Sequence, residues 1–131
     1  MGKRTTGRRL AIQILYQMDL CRASLDDACD AAFSNVDYIE QTRDFSVELA
    51  SRIWEVKDQL DVMIEEKSKE WKLERINPID RNILRLGIYE LLHAPEKLPP
   101  GVIIDEAVEL AKKFSDPESS KFINGILGNI N

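Results

Sequence analysis

The sequence predicts an all-α fold, and three observations support this prediction. Apolar residues recur every three or four positions almost throughout the 131 residues, which is the period of a helix buried on one face. Capping residues stand before several of these segments. No pair of segments combines an alternating pattern with the turn residues of a β-hairpin.

The first two predicted helices follow the basic N-terminus. Thr5 and Thr6 can cap a helix that runs to about Arg22. Its apolar stripe consists of Leu10, Ala11, Ile14, Leu15 and Met18. Ser24, followed closely by two acids, predicts the start of a short helix that continues to Phe33.

The longest predicted element begins at Asp37 and ends near Trp71. Its apolar residues keep a spacing of three or four, which predicts one helix of about thirty residues. These residues are Phe45, Leu49, Ile53, Val56, Leu60 and Ile64.

Asn77 and Pro78 predict the next start, because a capping side chain is followed by proline at the first helical position. This helix extends to about His93 and is apolar most of the way round, so we expect it to be the most buried one. Gly87 lies inside it. Glycine there costs about 1 kcal/mol in helix propensity, so we expect another helix to approach closely at this point.

Prolines between residues 95 and 100 predict a loop before a helix that ends at Phe114. Asp116 and Pro117 repeat the cap-and-proline signal before the last helix. We interpret residues 1–131 as one domain. A seam near 72–77 divides it into an N-terminal subdomain of about 1–72 and a C-terminal subdomain of about 77–131.

The charge is unevenly distributed along the chain. The net charge is −5, but residues 1–22 hold five basic residues and one acid, while most acids lie between Asp26 and Glu74. A basic N-terminus on an otherwise acidic chain permits local binding of phosphate groups. The alternative interpretation is that these basic residues are simply solvated. No apolar run reaches the roughly 20 residues of a membrane helix, nor does a signal-type stretch follow the basic start. We therefore expect a cytoplasmic protein.

The sequence offers little material for catalysis. Cys21, Cys29 and His93 are too few ligands for a zinc site, and we interpret both cysteines as small buried hydrophobes. Neither a phosphate-cradling loop nor a nucleophile motif is present. We expect no cofactor, no metal and no enzymatic activity.

Polar residues on the first helix suggest a site for single-stranded RNA. Arg9, Gln13 and Tyr16 share one helix face at spacings of four and three, and Arg4 and Arg8 extend a basic edge. Guanidinium groups bind phosphates, an aromatic ring stacks on bases, and an amide reads base edges. Alternatively, Tyr16 belongs to the core and Gln13 is merely solvated.

A second cluster lies at the start of the last helix, where backbone N–H groups favour phosphate. It comprises Glu118, Ser119, Ser120, Lys121, Phe122 and Asn124. Glu118 suits the helix dipole but would repel phosphate. Phe122 and Asn124 can equally be core and helix-contact residues.

Several segments together carry a family resemblance that spans the chain, with residues 25–75 the loosest part. They are residues 8–16 (RRLAIQILY), 80–86 (DRNILRL) with 88–91 (IYEL), Pro100, 105–112 (DEAVELAK) and 121–127 (KFINGIL). In this order and spacing they resemble the NusB family of bacterial transcription antitermination factors.

The resemblance implies about seven helices in two three-helix subdomains packed crosswise. It also implies that the chain binds boxA-type RNA together with the ribosomal protein NusE and helps RNA polymerase pass terminators in ribosomal RNA operons. The RNA-binding residues would be Arg4, Arg8, Arg9, Gln13, Tyr16, Glu118, Lys121 and Phe122. The resemblance further implies that the partner-binding residues are Asp80, Arg81, Tyr89 and Glu90, with the nearby Glu74 and Arg75. This fits their chemistry, since charges on a mostly buried helix must pair within the chain or across an interface.

The chain departs from the family pattern at two positions near helix ends. Asp105 stands where the family usually has asparagine, and Ser115 where it usually has glycine. Two rival interpretations are an accessory domain like that of ribosomal RNA methyltransferases and a helical protein-interaction module without an RNA role. An exposed apolar patch on the partner-binding helix could also produce a homodimer when the partner is absent.

Overall fold

The computed structural model describes residues 3–69 and 71–130, and in these ranges it is helical without strands. The ends of the predicted domain, residues 1, 2 and 131, lie outside them. The seven α-helices are α1 (Lys3–Leu20), α2 (Leu25–Phe33), α3 (Glu40–Glu55), α4 (Lys57–Lys67), α5 (Pro78–Leu92), α6 (Pro100–Phe114) and α7 (Pro117–Leu127), with a 3-10 turn at Leu73–Arg75. The all-α prediction is confirmed.

The chain divides into two compact units, Met1–Glu55 and Val56–Asn131. The sequence placed the seam near residues 72–77, whereas the structure places it between α3 and α4. The reason is that α4 packs against α5 and belongs to the second unit. The units therefore hold three and four α-helices.

The prediction of one long helix through this boundary was wrong. Helix α3 ends at Glu55, and Val56 has φ −107° and ψ 17°, outside helical values, before α4 begins. Ile53 on one side of the break and Leu60 on the other are both fully buried. The apolar stripe thus continues across the break, which is why periodicity could not reveal it.

In the first unit, α1 packs against α2 and α3. Leu10, Ile14 and Leu15 of α1 and Ile53 of α3 are fully buried in its core. The Ser24 hydroxyl accepts a hydrogen bond from the Asp27 N–H at 3.1 Å, which confirms the predicted cap of α2. Helix α1 ends at Leu20, short of Arg22, which adopts a left-handed φ of 56°.

In the second unit, α5 packs against α4, α6 and α7. Residues 80–90 of α5 are all buried, as expected for the central helix. The Asn77 side chain caps it by accepting from the Ile79 N–H at 2.8 Å. A Cβ at Gly87 would lie 2.8 Å from Cδ1 of Leu127, so the close approach predicted there is confirmed, and α7 makes it.

A buried ion pair joins α4 to α5. Arg85 Nε and Nη2 donate to the two Asp61 carboxylate oxygens at 2.7 and 3.0 Å, and Nη1 donates to Asn82 Oδ1 at 2.9 Å. Arg85 is only 2% exposed.

No helix within the described ranges is both long and apolar enough to span a membrane.

Candidate nucleic-acid interface

The first group of predicted RNA-binding residues lies on α1. Arg4 and Gln13 are exposed, and Arg9 and Tyr16 are half-buried. Because Arg9, Gln13 and Tyr16 are spaced by four and three residues on a regular helix, they lie on one face. The face offers a cation, an amide and an aromatic ring to an approaching strand.

Arg8 differs from the other members of this group, because it is only 3% exposed. Its Cζ lies 6.0 Å from the centroid of the Phe45 ring, and the Cζ of Arg4 lies 5.3 Å from the same centroid. A buried guanidinium presents little surface to a phosphate. Arg8 therefore suits a supporting role beside the α1 face better than direct contact.

Phe45, on α3, is a residue of this site that sequence reasoning missed, since it was assigned to the apolar stripe alone. Gly7 allows the ring to lie against α1, because a Cβ at that position would overlap Cδ2 of the Phe45 ring. A cation over an aromatic face is stabilised by the ring quadrupole. The ring thus holds two arginines of one helix near each other.

The second predicted group lines an open cleft in the Val56–Asn131 unit. The cleft has a volume of about 450 Å³ and is lined by Trp71, Arg75, Ile76, Asn77, Asp80, Glu118, Ser119, Lys121 and Phe122. The cleft therefore brings together the three α7 residues predicted to bind RNA with two residues predicted to bind the protein partner, Arg75 and Asp80. Neither sequence spacing nor helix faces could show this, because the cleft joins residues about forty positions apart.

A chain of hydroxyl groups reaches Asp80 at the side of this cleft. Ser119 Oγ donates to Asp80 Oδ2 at 2.6 Å, and the Ser115 and Ser119 hydroxyl oxygens lie 2.9 Å apart. Since Ser119 gives its single proton to Asp80, Ser115 is the donor to Ser119. The other carboxyl oxygen, Asp80 Oδ1, is buried without a hydrogen-bond partner in the part of the chain that the structure describes.

The remaining partner predictions fall into an exposed and a buried group. Glu74 and Arg75 are exposed, whereas Arg81, Tyr89 and Glu90 are at most 9% exposed. Arg81 Nη1 donates to the carbonyl oxygens of Leu73 and Ile76 at 3.3 and 3.4 Å. Charges on α5 thus pair within the chain, one of the two options that the sequence left open.

Burial along α5 also removes the exposed apolar patch on which the homodimer prediction depended, since residues 80–90 are all buried. The homodimer itself stays a prediction.

Tyr89 stacks on His93 with ring centroids 6.2 Å apart. The two rings occupy the end of α5 away from the cleft.

The cysteines do not form a site. Cys21 is exposed, so its interpretation as a buried hydrophobe was wrong, and Cys29 is half-buried. Burial, with Asp26 and Asp30 nearby, raises the pKa of the Cys29 thiol. Within residues 3–69 and 71–130, no group of three histidine, cysteine or acidic side chains is arranged to hold a metal ion.

Comparison with known proteins identifies similar chains over nearly the whole length. A family model described as the NusB family matches residues 5–131. The transcription antitermination protein NusB of Myxococcus xanthus is 42% identical, with 99% of this chain and 95% of the relative covered. A crystal structure of the antitermination factors NusB and NusE in complex with dsRNA matches with a TM-score of 0.86 and 27% identity, covering 99% and 96%. The structure of NusB from T. maritima matches with a TM-score of 0.85 and 32% identity, covering 99% and 90%.

Proposed function

Because the chain belongs to the NusB family, we propose that it is a transcription antitermination factor that acts by binding rather than by catalysis. It binds boxA-type RNA together with the ribosomal protein NusE and so helps RNA polymerase read through terminators in ribosomal RNA operons. It works in the cytoplasm, where transcription takes place. The observation that carries the proposal is the α1 face, where Arg9, Gln13 and Tyr16 lie together beside Arg4.

The proposed RNA-binding residues differ in chemistry from those proposed for the protein partner. Arg4 and Arg9 on α1, with Lys121 on α7, supply positive charge for phosphates, and Tyr16 and Phe122 supply rings for unpaired bases. Arg8 supports Arg4 through Phe45. The exposed Glu74 and Arg75 remain the accessible candidates for the ribosomal-protein partner.

The direct test is fluorescence anisotropy of a labelled boxA-type RNA, with and without NusE, over a range of salt concentrations. We expect binding that weakens with salt and tightens with NusE, because each ligand favours the same assembled surface. In Arg4→Ala/Arg9→Ala, the slope of log affinity against log salt should fall by about 1.4, since each phosphate contact on a single strand contributes about 0.7.

The matched control is Arg43→Ala/Arg52→Ala, which removes the same charge from two exposed positions on α3. It should leave the slope close to that of the parent chain. A double-stranded RNA of the same sequence tests whether unpaired bases are needed. Equal slopes for the two double variants, or no RNA binding with or without NusE, would leave a protein-interaction module as the better account.

A second prediction concerns Phe45 as the support of the two arginines. Phe45→Leu should weaken RNA binding about two- to fivefold for each arginine that the ring positions, because each cation–π contact contributes roughly 0.5–1 kcal/mol at a partly exposed site. Phe45→Tyr should restore the affinity, since it keeps the ring. The measurement is the same anisotropy titration at one low salt concentration, with helicity checked by circular dichroism.

Phe33→Leu is the control for Phe45→Leu. Its ring lies 5.2 Å from the Cζ of Arg43, so the substitution removes a comparable cation–π contact in the same unit that involves neither Arg4 nor Arg8. It should not change RNA affinity. Equal losses in Phe33→Leu and Phe45→Leu would mean that general packing, rather than the placement of Arg4 and Arg8, explains the effect.

A further inference from the structure

One segment of the Met1–Glu55 unit accounts for the whole net charge of the protein. Residues 24–44 contain six acids and one base, whereas the rest of the chain contains seventeen of each. All six carboxylates are exposed, and they belong to Asp26, Asp27, Asp30, Asp37, Glu40 and Asp44. Because like charges repel one another, this concentration does not help the fold, and it favours a positively charged ligand.

Two large apolar side chains are exposed in the middle of this acidic segment. Val36 is 53% exposed and Ile39 is 54% exposed, and both lie in the six-residue connection between α2 and α3. Single exposed apolar residues are ordinary on a protein surface. Two of them in one short connection, surrounded by charged residues, are typical of a surface that binds another protein.

Contacts to both flanking helices hold this connection in place. The Tyr38 ring meets the Phe33 ring of α2 edge-on, with centroids 6.2 Å apart and an interplanar angle of 63°. Arg43 of α3 places its Cζ 5.2 Å from the centroid of the same Phe33 ring. The Ile39 carbonyl accepts the N–H groups of Thr42 and Arg43, both at 3.1 Å. Little conformational entropy is therefore lost when a partner covers the connection.

The charge of this surface decides which class of ligand it fits. The exposed carboxylates repel the phosphates of RNA. A second copy of the chain that met the same surface by two-fold symmetry would bring six acids against six acids. A protein segment with lysine or arginine beside apolar side chains complements both the charge and the exposed apolar residues.

We propose that the acidic α2–α3 surface, formed by Val36, Ile39 and the six carboxylates, docks a basic segment of another protein. Apolar side chains of that segment cover Val36 and Ile39, and its cations pair with the surrounding carboxylates. The apolar contact provides most of the affinity, because exposed ion pairs contribute little. The carboxylates provide the preference for a basic partner and faster association.

This inference goes beyond the proposed function and does not rest on it. Glu74 and Arg75, the candidates for NusE, belong to the Val56–Asn131 unit, whereas the acidic α2–α3 surface belongs to the other unit. The surface also lies within residues 25–75, where the resemblance to the NusB family is loosest. The chain thus has a binding surface additional to those proposed for RNA and for NusE.

The test is fluorescence anisotropy of the full chain with a labelled helical peptide of lysine and leucine, about 14 residues long, whose leucines share one face. We expect the binding to weaken as the salt concentration rises, because exposed ion pairs are screened. A second peptide has serine in place of every leucine and keeps the same charge. It should bind about tenfold more weakly, since it lacks the apolar anchor.

Val36→Ser/Ile39→Ser removes the apolar centre of the surface without changing its charge. The variant should bind the leucine–lysine peptide about tenfold more weakly and bind the serine–lysine peptide like the parent chain. Residue 39 directly precedes α3, where serine is a favourable cap, so we expect the helices to be retained. The matched control is Val62→Ser/Val102→Ser, which removes two side chains that are 57% and 45% exposed on α4 and α6 and should change neither affinity.

The contribution of charge is tested with Asp37→Asn/Glu40→Gln. This variant should bind both peptides with a weaker dependence on salt, because two exposed carboxylates are lost. Glu65→Gln/Glu66→Gln removes the same charge from exposed positions on α4 and serves as the control. It should leave the salt dependence unchanged.

Equal binding of the leucine–lysine peptide by the parent chain and by Val36→Ser/Ile39→Ser, or no binding at all, would overturn the proposal. Displacement of the peptide by NusE would also overturn it, since the surface would then belong to that partner. So would a dimer of the chain alone, seen by light scattering, that dissociates in Val36→Ser/Ile39→Ser. The same variant should bind boxA-type RNA like the parent chain, so failure of this proposal would leave the proposed function standing.

Discussion

Replacing Asp61 with alanine is expected to lower the free energy of unfolding by about 3–5 kcal/mol, the cost of removing one partner of a buried ion pair. Asp61 accepts two hydrogen bonds from Arg85, whose side chain is 3% exposed. Arginine cannot give up its proton in a protein. The variant would therefore keep a buried positive charge without the carboxylate that compensates it, as urea denaturation should show.

Replacing Arg85 with methionine should lower the free energy of unfolding by less than replacing Asp61 with alanine. Lys57 Nζ lies 3.8 Å from Asp61 Oδ2, and the Asp61 side chain is 12% exposed, so Arg85→Met leaves the carboxylate with a nearby cation and some water. Combining Asp61→Leu with Arg85→Met should recover most of the loss, because apolar replacement of both partners is often neutral or stabilising.

The control is Glu48→Ala, which breaks the exposed pair between Glu48 and Arg52 with N···O 3.0 Å. Exposed pairs contribute about 0–1 kcal/mol, so the free energy of unfolding of this variant should be close to that of the parent chain. Similar losses for Asp61→Ala and Glu48→Ala would contradict the argument from burial.

The second large effect is expected where α5 meets α7. Leu127 is 1% exposed, and Leu127→Ala should cost about 2–5 kcal/mol, through lost burial and the cavity left behind. Gly87→Ala should cost about 1–3 kcal/mol, because its Cβ would lie 2.8 and 2.9 Å from the two methyl carbons of Leu127. The double variant should cost less than the sum, since alanine at 127 leaves room for the new methyl group.

Gly125→Ala provides the matched control, because it is the same substitution inside α7 at a position where a Cβ would meet nothing within 4 Å. It should stabilise the chain by up to about 1 kcal/mol through helix propensity alone. Chemical denaturation of the four variants measures the coupling. Strict additivity of Gly87→Ala and Leu127→Ala would show that the contact between them is not what makes Gly87 necessary.

Local chemistry explains which parts of the fold could be predicted from the sequence. Ser24 and Asn77 were identified as caps because their side chains satisfy backbone N–H groups two or three residues away, and the structure confirms both. Asp116 was identified in the same way and occupies the cap position, but its side chain makes no capping hydrogen bond. Such a signal locates the start of a helix without guaranteeing the contact.

The candidate site was less predictable because it depends on long-range packing. Helical periodicity placed Arg9, Gln13 and Tyr16 on one face, but it could not show that Arg8, one residue away, is buried near the Phe45 ring. The assignment of Asp80 to the protein partner came from the family resemblance and stays a prediction. Only the packing of α7 against α5 brings Ser119 to that carboxyl group.

The position of the break at Val56 determines how the chain can be divided into fragments. A fragment cut at the seam suggested by the sequence, starting at residue 77, would lack α4 and would carry Arg85 without Asp61. A fragment starting at Val56 would keep that pair and the complete cleft. The second compact unit thus begins in the middle of a continuous apolar pattern, at a residue that the pattern alone would never select as a boundary.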